Sequence, residues 1–118
     1  MPHCVIECPA ELARQHDMEP LMQAVHGAAA ASGLFEASDI KVRVLPSEHY
    51  LVGGKTEPYL HVTTHILAGR SDQQKKLLTE AIVRAVCAQL PQLAMVTSEV
   101  RDIQREAYSN RRLALAGQ

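Results

Sequence analysis

The chain reads the same way twice. Pro2 and Pro58, Asp17 and Asp72, Ile40 and Val96 recur at an offset of about 55 to 57 residues, and each stretch reads strand, helix, strand. In the first half, residues 2–8 alternate, with His3, Val5 and Glu7 on one side and Cys4, Ile6 and Cys8 on the other. Cys8-Pro9-Ala10-Glu11 then reads as a break. Asp17 is a helix N-cap with Pro20 in the first turn, and Met18, Leu21, Met22, Val25, Ala28 and Ala29 follow at helical spacing until Gly33 closes the helix. A second strand covers 40–45, where Pro46 is expected to interrupt it. In the second half, 59–67 is a strand, and Ser71 with Gln74 forms a capping box. Leu78, Ala81, Ile82, Ala85, Val86 and Leu90 give the helical stripe, Pro91 stops it, and 95–103 is the last strand.

Two such units, each closed by a right-handed crossover, predict an α+β fold: one four-stranded mixed sheet, built as two parallel strand pairs, with both long helices on one face. The 118 residues suit a single domain, with halves at about 1–46 and 57–103 and a polar, basic tail from 104 to 118. That tail is expected to be ordered only through a neighbour. With one Phe, three Tyr and no Trp, the core must be aliphatic, and association is a natural source of further stability.

The formal charge of −1 gives no basic footprint for nucleic acid. No apolar run approaches the roughly 20 residues of a membrane helix, and the first residues lack the basic stretch of a signal peptide. The expected location is the cytoplasm, where the three cysteines are reduced.

Several motifs lead nowhere. Gly54-Lys55-Thr56 resembles the end of a phosphate loop, but the first glycine of that motif falls at His49. His61 and His65 lie about 13 Å apart along a strand, too far to share one ion, and Cys4 and Cys8 are spaced likewise. No metal is expected. Cys87 reads as a small buried residue, and Met18, Met22 and Met95 as core fillers.

Other residues point to chemistry. Removal of Met1 would expose Pro2 as a secondary amine. A terminal amine titrates near ~8, and burial lowers it, which makes a base suited to proton transfer near pH 7. Arg70 precedes the Ser71 cap, where a guanidinium and unpaired backbone N–H groups favour an anion. Lys41 and Arg43 share one strand face.

The segment His65-Ile66-Leu67-Ala68-Gly69-Arg70-Ser71-Asp72-Gln73-Gln74-Lys75 closely resembles the strand-to-helix segment of 4-oxalocrotonate tautomerase. Here it follows Pro58, which is internal and cannot be an amine. Met1-Pro2-His3, Val5-Ile6-Glu7-Cys8, Ala31-Ser32-Gly33-Leu34-Phe35, residues 40–44 and Ala68-Gly69-Arg70-Ser71 are similar to the longer 5-carboxymethyl-2-hydroxymuconate isomerase family, up to about residue 103.

The resemblance implies a homotrimer without metal or cofactor, whose substrate is a small polycarboxylate. Its members shift a proton between oxygen and carbon of an unsaturated 2-hydroxy acid, in bacterial breakdown of homoprotocatechuate. It implies Pro2 as the proton shuttle and Arg70 as a carboxylate ligand. Lys41 stands where the family has its first-half arginine, and Arg43 is the other residue able to supply that fork. Two alternatives share the fold: a non-catalytic binding or assembly module, and a tautomerase for another keto–enol acid.

Overall fold

The computed structural model describes residues 1–117. Strand β1 (His3–Pro9) leads through helices α1 (Ala10–Gln15) and α2 (Met18–Ala31) to β2 (Lys41–Ser47). Strand β3 (Leu60–Leu67), helix α3 (Asp72–Gln89) and β4 (Val96–Ile103) repeat that plan, and a short α4 (Arg111–Leu115) follows. The strand order is β2-β1-β3-β4. β1 runs parallel to β2 and β3 parallel to β4, and the two units meet through the antiparallel pair β1–β3.

Alternation decides the layers. Cys4, Ile6 and Cys8 of β1 and Leu60, Val62 and Thr64 of β3 are fully buried. They meet Leu21, Val25 and Ala29 of α2 and Leu78, Ile82 and Val86 of α3, each set spaced by four and so on one helix face. The two helices also pack against each other. Each fully buried Leu or Ile stabilises the fold by about 1.5–3 kcal/mol, so an aliphatic core suffices without large aromatics. The helix ends are as the sequence indicates. Asp17 accepts from the Glu19 amide, and Gly33 takes φ +75° just past the end of α2, a conformation that favours glycine.

Five expectations need correction. The expected break after Cys8 contains α1, anchored by buried Ala10 and Leu12. Pro46 does not interrupt β2 but pairs in register with Cys8. β2 is an edge strand, where a missing N–H is tolerated. Cys87 is exposed, because it stands one residue, about 100° of helical turn, beyond buried Val86. Met95 is likewise half exposed rather than a core filler, whereas Met18 and Met22 do pack on the rim of the core. The tail lies against its own chain, with Arg105 Nε donating to the Ala68 carbonyl at 2.8 Å; Arg105–Ala107 forms one 3-10 turn, and Asn110 caps α4 by accepting from the Leu113 amide at 2.8 Å.

Candidate active site

The register brings distant segments to one end of the sheet. His3, at the start of β1, pairs with Lys41 at the start of β2 and with His65 near the end of β3. Leu67, which closes β3, pairs with Ile103, which closes β4. Met1-Pro2, Lys41, the turn 68–70 and the tail after Ile103 therefore converge. Between them lies a cavity of about 560 Å³, a size that suits a small ligand. Lys41, Arg70, Arg105 and Arg112 line it, against two acids among the described residues, Glu36 and Asp39.

Met1 lines the cavity, while Pro2 is buried just behind, with its carbonyl accepting from the amide of lining Lys41 at 3.0 Å. Met1 is attached here, so the Pro2 nitrogen is an amide nitrogen. The Met1 ammonium lies 3.4 Å from Asp39 Oδ2, and Lys41 Nζ lies 3.5 Å from Asp39 Oδ1. Burial lowers the pKa of this terminal amine below its ordinary value, and adjacent Lys41 lowers it further; Asp39 works in the opposite sense. The Met1 ammonium and Lys41 in turn hold the Asp39 carboxyl below its usual range.

Arg70 is held by local chemistry. The Ser71 hydroxyl accepts from the Gln74 amide at 3.1 Å, and the Gln74 side chain accepts from the Ser71 amide at 2.8 Å. This capping box fixes the turn in which Gly69 adopts φ +128°. Arg70 Nη2 donates to the Leu34 carbonyl at 2.7 Å, and its guanidinium lies 5.7 Å from the centre of the Phe35 ring. The rest of its fork is available for a planar carboxylate.

Arg43 is elsewhere. It shares a strand face with Lys41, as expected, but its Nη1 lies 3.0 Å from His3 Nδ1 and it does not line the cavity. Burial and then the charge of Arg43 hold His3 toward its neutral form. His61 lies in a separate cluster, 2.7 Å from Glu99 and 2.6 Å from Thr97. Among the described residues no cluster of three or more His, Cys, Asp or Glu is placed to hold a metal. Cys4 and Cys8 are core residues whose thiols burial pushes up.

The sequence reading missed Arg105, Arg112 and Tyr108 as lining residues. No local signal places Arg105 there: it reaches the turn that carries Arg70 because β4 ends in register with β3, which only the fold decides.

A family model described as 5-carboxymethyl-2-hydroxymuconate isomerase matches residues 2–115. The solved structure of a 5-carboxymethyl-2-hydroxymuconate delta-isomerase has a TM-score of 0.74 and 21% identity, covering 100% of this chain and 93% of that one. The asymmetric trimer of the fused 4-OT F6 has a TM-score of 0.79 and 20% identity, covering 92% of each chain. N1, a member of the cis-3-chloroacrylic acid dehalogenase family, has a TM-score of 0.79 and 19% identity, covering 92% and 80%. These likenesses establish the shared tautomerase fold. No curated protein matches the chain in sequence.

Proposed function

The chain belongs to the 5-carboxymethyl-2-hydroxymuconate isomerase family, a family of isomerases of the tautomerase kind, and from that membership we propose that it isomerises 5-carboxymethyl-2-hydroxymuconate, an intermediate of homoprotocatechuate catabolism, with Pro2 as acid and base. The observation that carries this reading is a cation-rich cavity lined by Lys41 and Arg70, with buried Pro2 bonded to Lys41 and joined to the lining residue Met1.

Removal of Met1 converts the Pro2 nitrogen into a secondary amine in a desolvated corner beside Lys41. Desolvation and a neighbouring cation both favour the neutral, basic form. The amine takes the proton of the substrate's 2-hydroxyl. The electron pair left on oxygen spreads along the conjugated chain, and the ammonium returns a proton at carbon as the 2-oxo group forms. No atom is gained or lost. Cations beside the carboxylates stabilise the dienolate and fix the carbon that receives the proton. Arg70 supplies a fork for one carboxylate, and Lys41 supplies a point charge nearer the enol. A lysine in place of the family's arginine also fits a tautomerase whose keto–enol acid differs in its carboxylates.

Assembly as a homotrimer is part of the same proposal. Fused 4-OT proteins with this fold are described as trimers. A single chain also leaves Leu45, Leu51 and Met95 half exposed or more, apolar area that a neighbour can cover. Three free cysteines suit a reducing compartment such as the cytoplasm. Among the described residues, no helix is long and apolar enough to cross a membrane.

The test pairs the mass of the mature chain with the ultraviolet assay of dienol conversion. Chain lacking Met1 is expected to turn over the substrate, and chain retaining it to be inactive. Pro2→Ala is expected to cost about 10²-fold or more, the scale of losing a general base. Equal turnover with Met1 attached overturns the mechanism. Light scattering at micromolar concentration should give three chains per particle, and a stable 13.0 kDa monomer overturns the assembly.

A further inference from the structure

We propose that Arg105, in the tail, is a specificity-determining carboxylate ligand of the cavity, and that it makes the site select a tricarboxylate over a dicarboxylate. The inference rests on the proposed polycarboxylate reading and adds the residue that counts the carboxylates.

Arg105 lines the same cavity as Lys41 and Arg70. Its Nε donates to the Ala68 carbonyl at 2.8 Å, which anchors one edge of the guanidinium. Its Nη2 lies 3.8 Å from where a Cβ on residue 69 would stand, an ordinary contact distance, so the guanidinium lies against the turn at Gly69. Among the described residues, both Nη groups lack a protein partner, and neither Arg70 nor Arg105 has a carboxylate within ion-pair reach.

Lys41 differs, because Asp39 already partly neutralises it. The cavity thus holds two unneutralised and anchored guanidinium groups, Arg70 on the Leu34 carbonyl and Arg105 on the Ala68 carbonyl, besides Lys41, and besides Arg112, for whose side chain no such anchor is seen among the described residues. Two carboxylates suffice for Arg70 and Lys41. A third is needed to satisfy Arg105, whose anchored plane is suited to bidentate pairing.

The experiment uses the full chain without Met1 and two matched, unreactive probes. Tricarballylate has three carboxylates, and glutarate is the same carbon chain without the central one. Calorimetry on wild type should show tighter binding of tricarballylate. In Arg105→Gln its Kd should weaken about tenfold while that for glutarate stays within about twofold, the lower end of what a charged hydrogen bond contributes because Arg105 is exposed. Arg105→Lys should restore part of the difference.

In turnover, Arg105→Gln should raise KM for 5-carboxymethyl-2-hydroxymuconate and leave kcat, and the KM for 2-hydroxymuconate, nearly unchanged. Equal weakening of both probes would assign Arg105 to bracing the turn, and overturns the proposal. So does no weakening of either, or a wild type without preference between them. Failure of the isomerase reading has a different signature: wild type turns over neither substrate while the two probes are still discriminated.

Discussion

Replacing Arg70 separates its two jobs, holding its own turn and holding a substrate. In the fold, one Nη2–H reaches the Leu34 carbonyl at 2.7 Å and the plane lies near Phe35. Arg70→Ala removes that bond. Leu34 is only half-buried, so water can replace the donor, and the cost to stability should be about 0.5–1 kcal/mol. The loss in function should be larger. A hydrogen bond to a charged partner contributes about 1.5–3 kcal/mol, so kcat/KM on a polycarboxylate should fall roughly 10- to 100-fold. Arg70→Lys keeps the charge but loses the fork and should fall between the two.

Steady-state kinetics followed by the absorbance of the dienol gives both constants. If Arg70 grips a carboxylate remote from the reacting enol, KM rises and kcat holds; if it stabilises the dienolate, kcat falls. We expect the first, because Lys41, whose amide donates to the Pro2 carbonyl, is the cation placed to serve the reacting enol. Unchanged kcat/KM in Arg70→Ala refutes carboxylate binding at this turn. Full activity in Arg70→Lys refutes the need for a fork.

Asp39→Asn removes the anion that partly neutralises Lys41; KM for a polycarboxylate should fall by up to about fivefold, the scale of an exposed ion pair, and a rise in KM contradicts the role given to Lys41. His3 has its folded pKa lowered by burial and by Arg43. The unfolded chain therefore takes up a proton first as pH falls below the ordinary value of about 6.5, and stability is lost from there down towards the folded value. A melting series from pH 8 to 5 should show that loss in wild type and less of it in His3→Gln; identical slopes contradict the assignment. Glu99, held below its usual range by Arg101 and then His61, adds a separate loss at lower pH, as the medium falls through its own ordinary value of 4.5. Ile82→Ala empties a fully buried site and should cost about 2–5 kcal/mol by urea denaturation. Cys87→Ser, at an exposed position, should stay within about 0.5 kcal/mol.

Local chemistry made several elements legible before any coordinates. Asp17, Gly33 and the Ser71–Gln74 box mark helix ends through bonds made within a few residues, and the structure forms each one. Alternation put Cys4, Ile6 and Cys8 on one face of β1, and the structure turns that face to the helices. Pro46 was misread because its effect depends on whether a strand has a neighbour on both sides, which residues 40–47 do not contain. Cys87 was misplaced because it adjoins the buried stripe of α3 without belonging to it.

The sequence by itself determined the duplicated strand–helix–strand plan, a mainly aliphatic core, and the turn that presents Arg70. Each depends on residues close together in the chain, where propensity, capping and periodicity act. Only the tertiary structure decided which cations share a cavity. The antiparallel junction of β1 with β3 brings Pro2 and Lys41 to the end of the sheet where Arg70 stands. The parallel pairing of β3 with β4 delivers Arg105 there, while Arg43, two residues along from Lys41, lies beside His3 outside it. Register between strands is set by packing of whole faces over separations of tens of residues, and no local pattern encodes it.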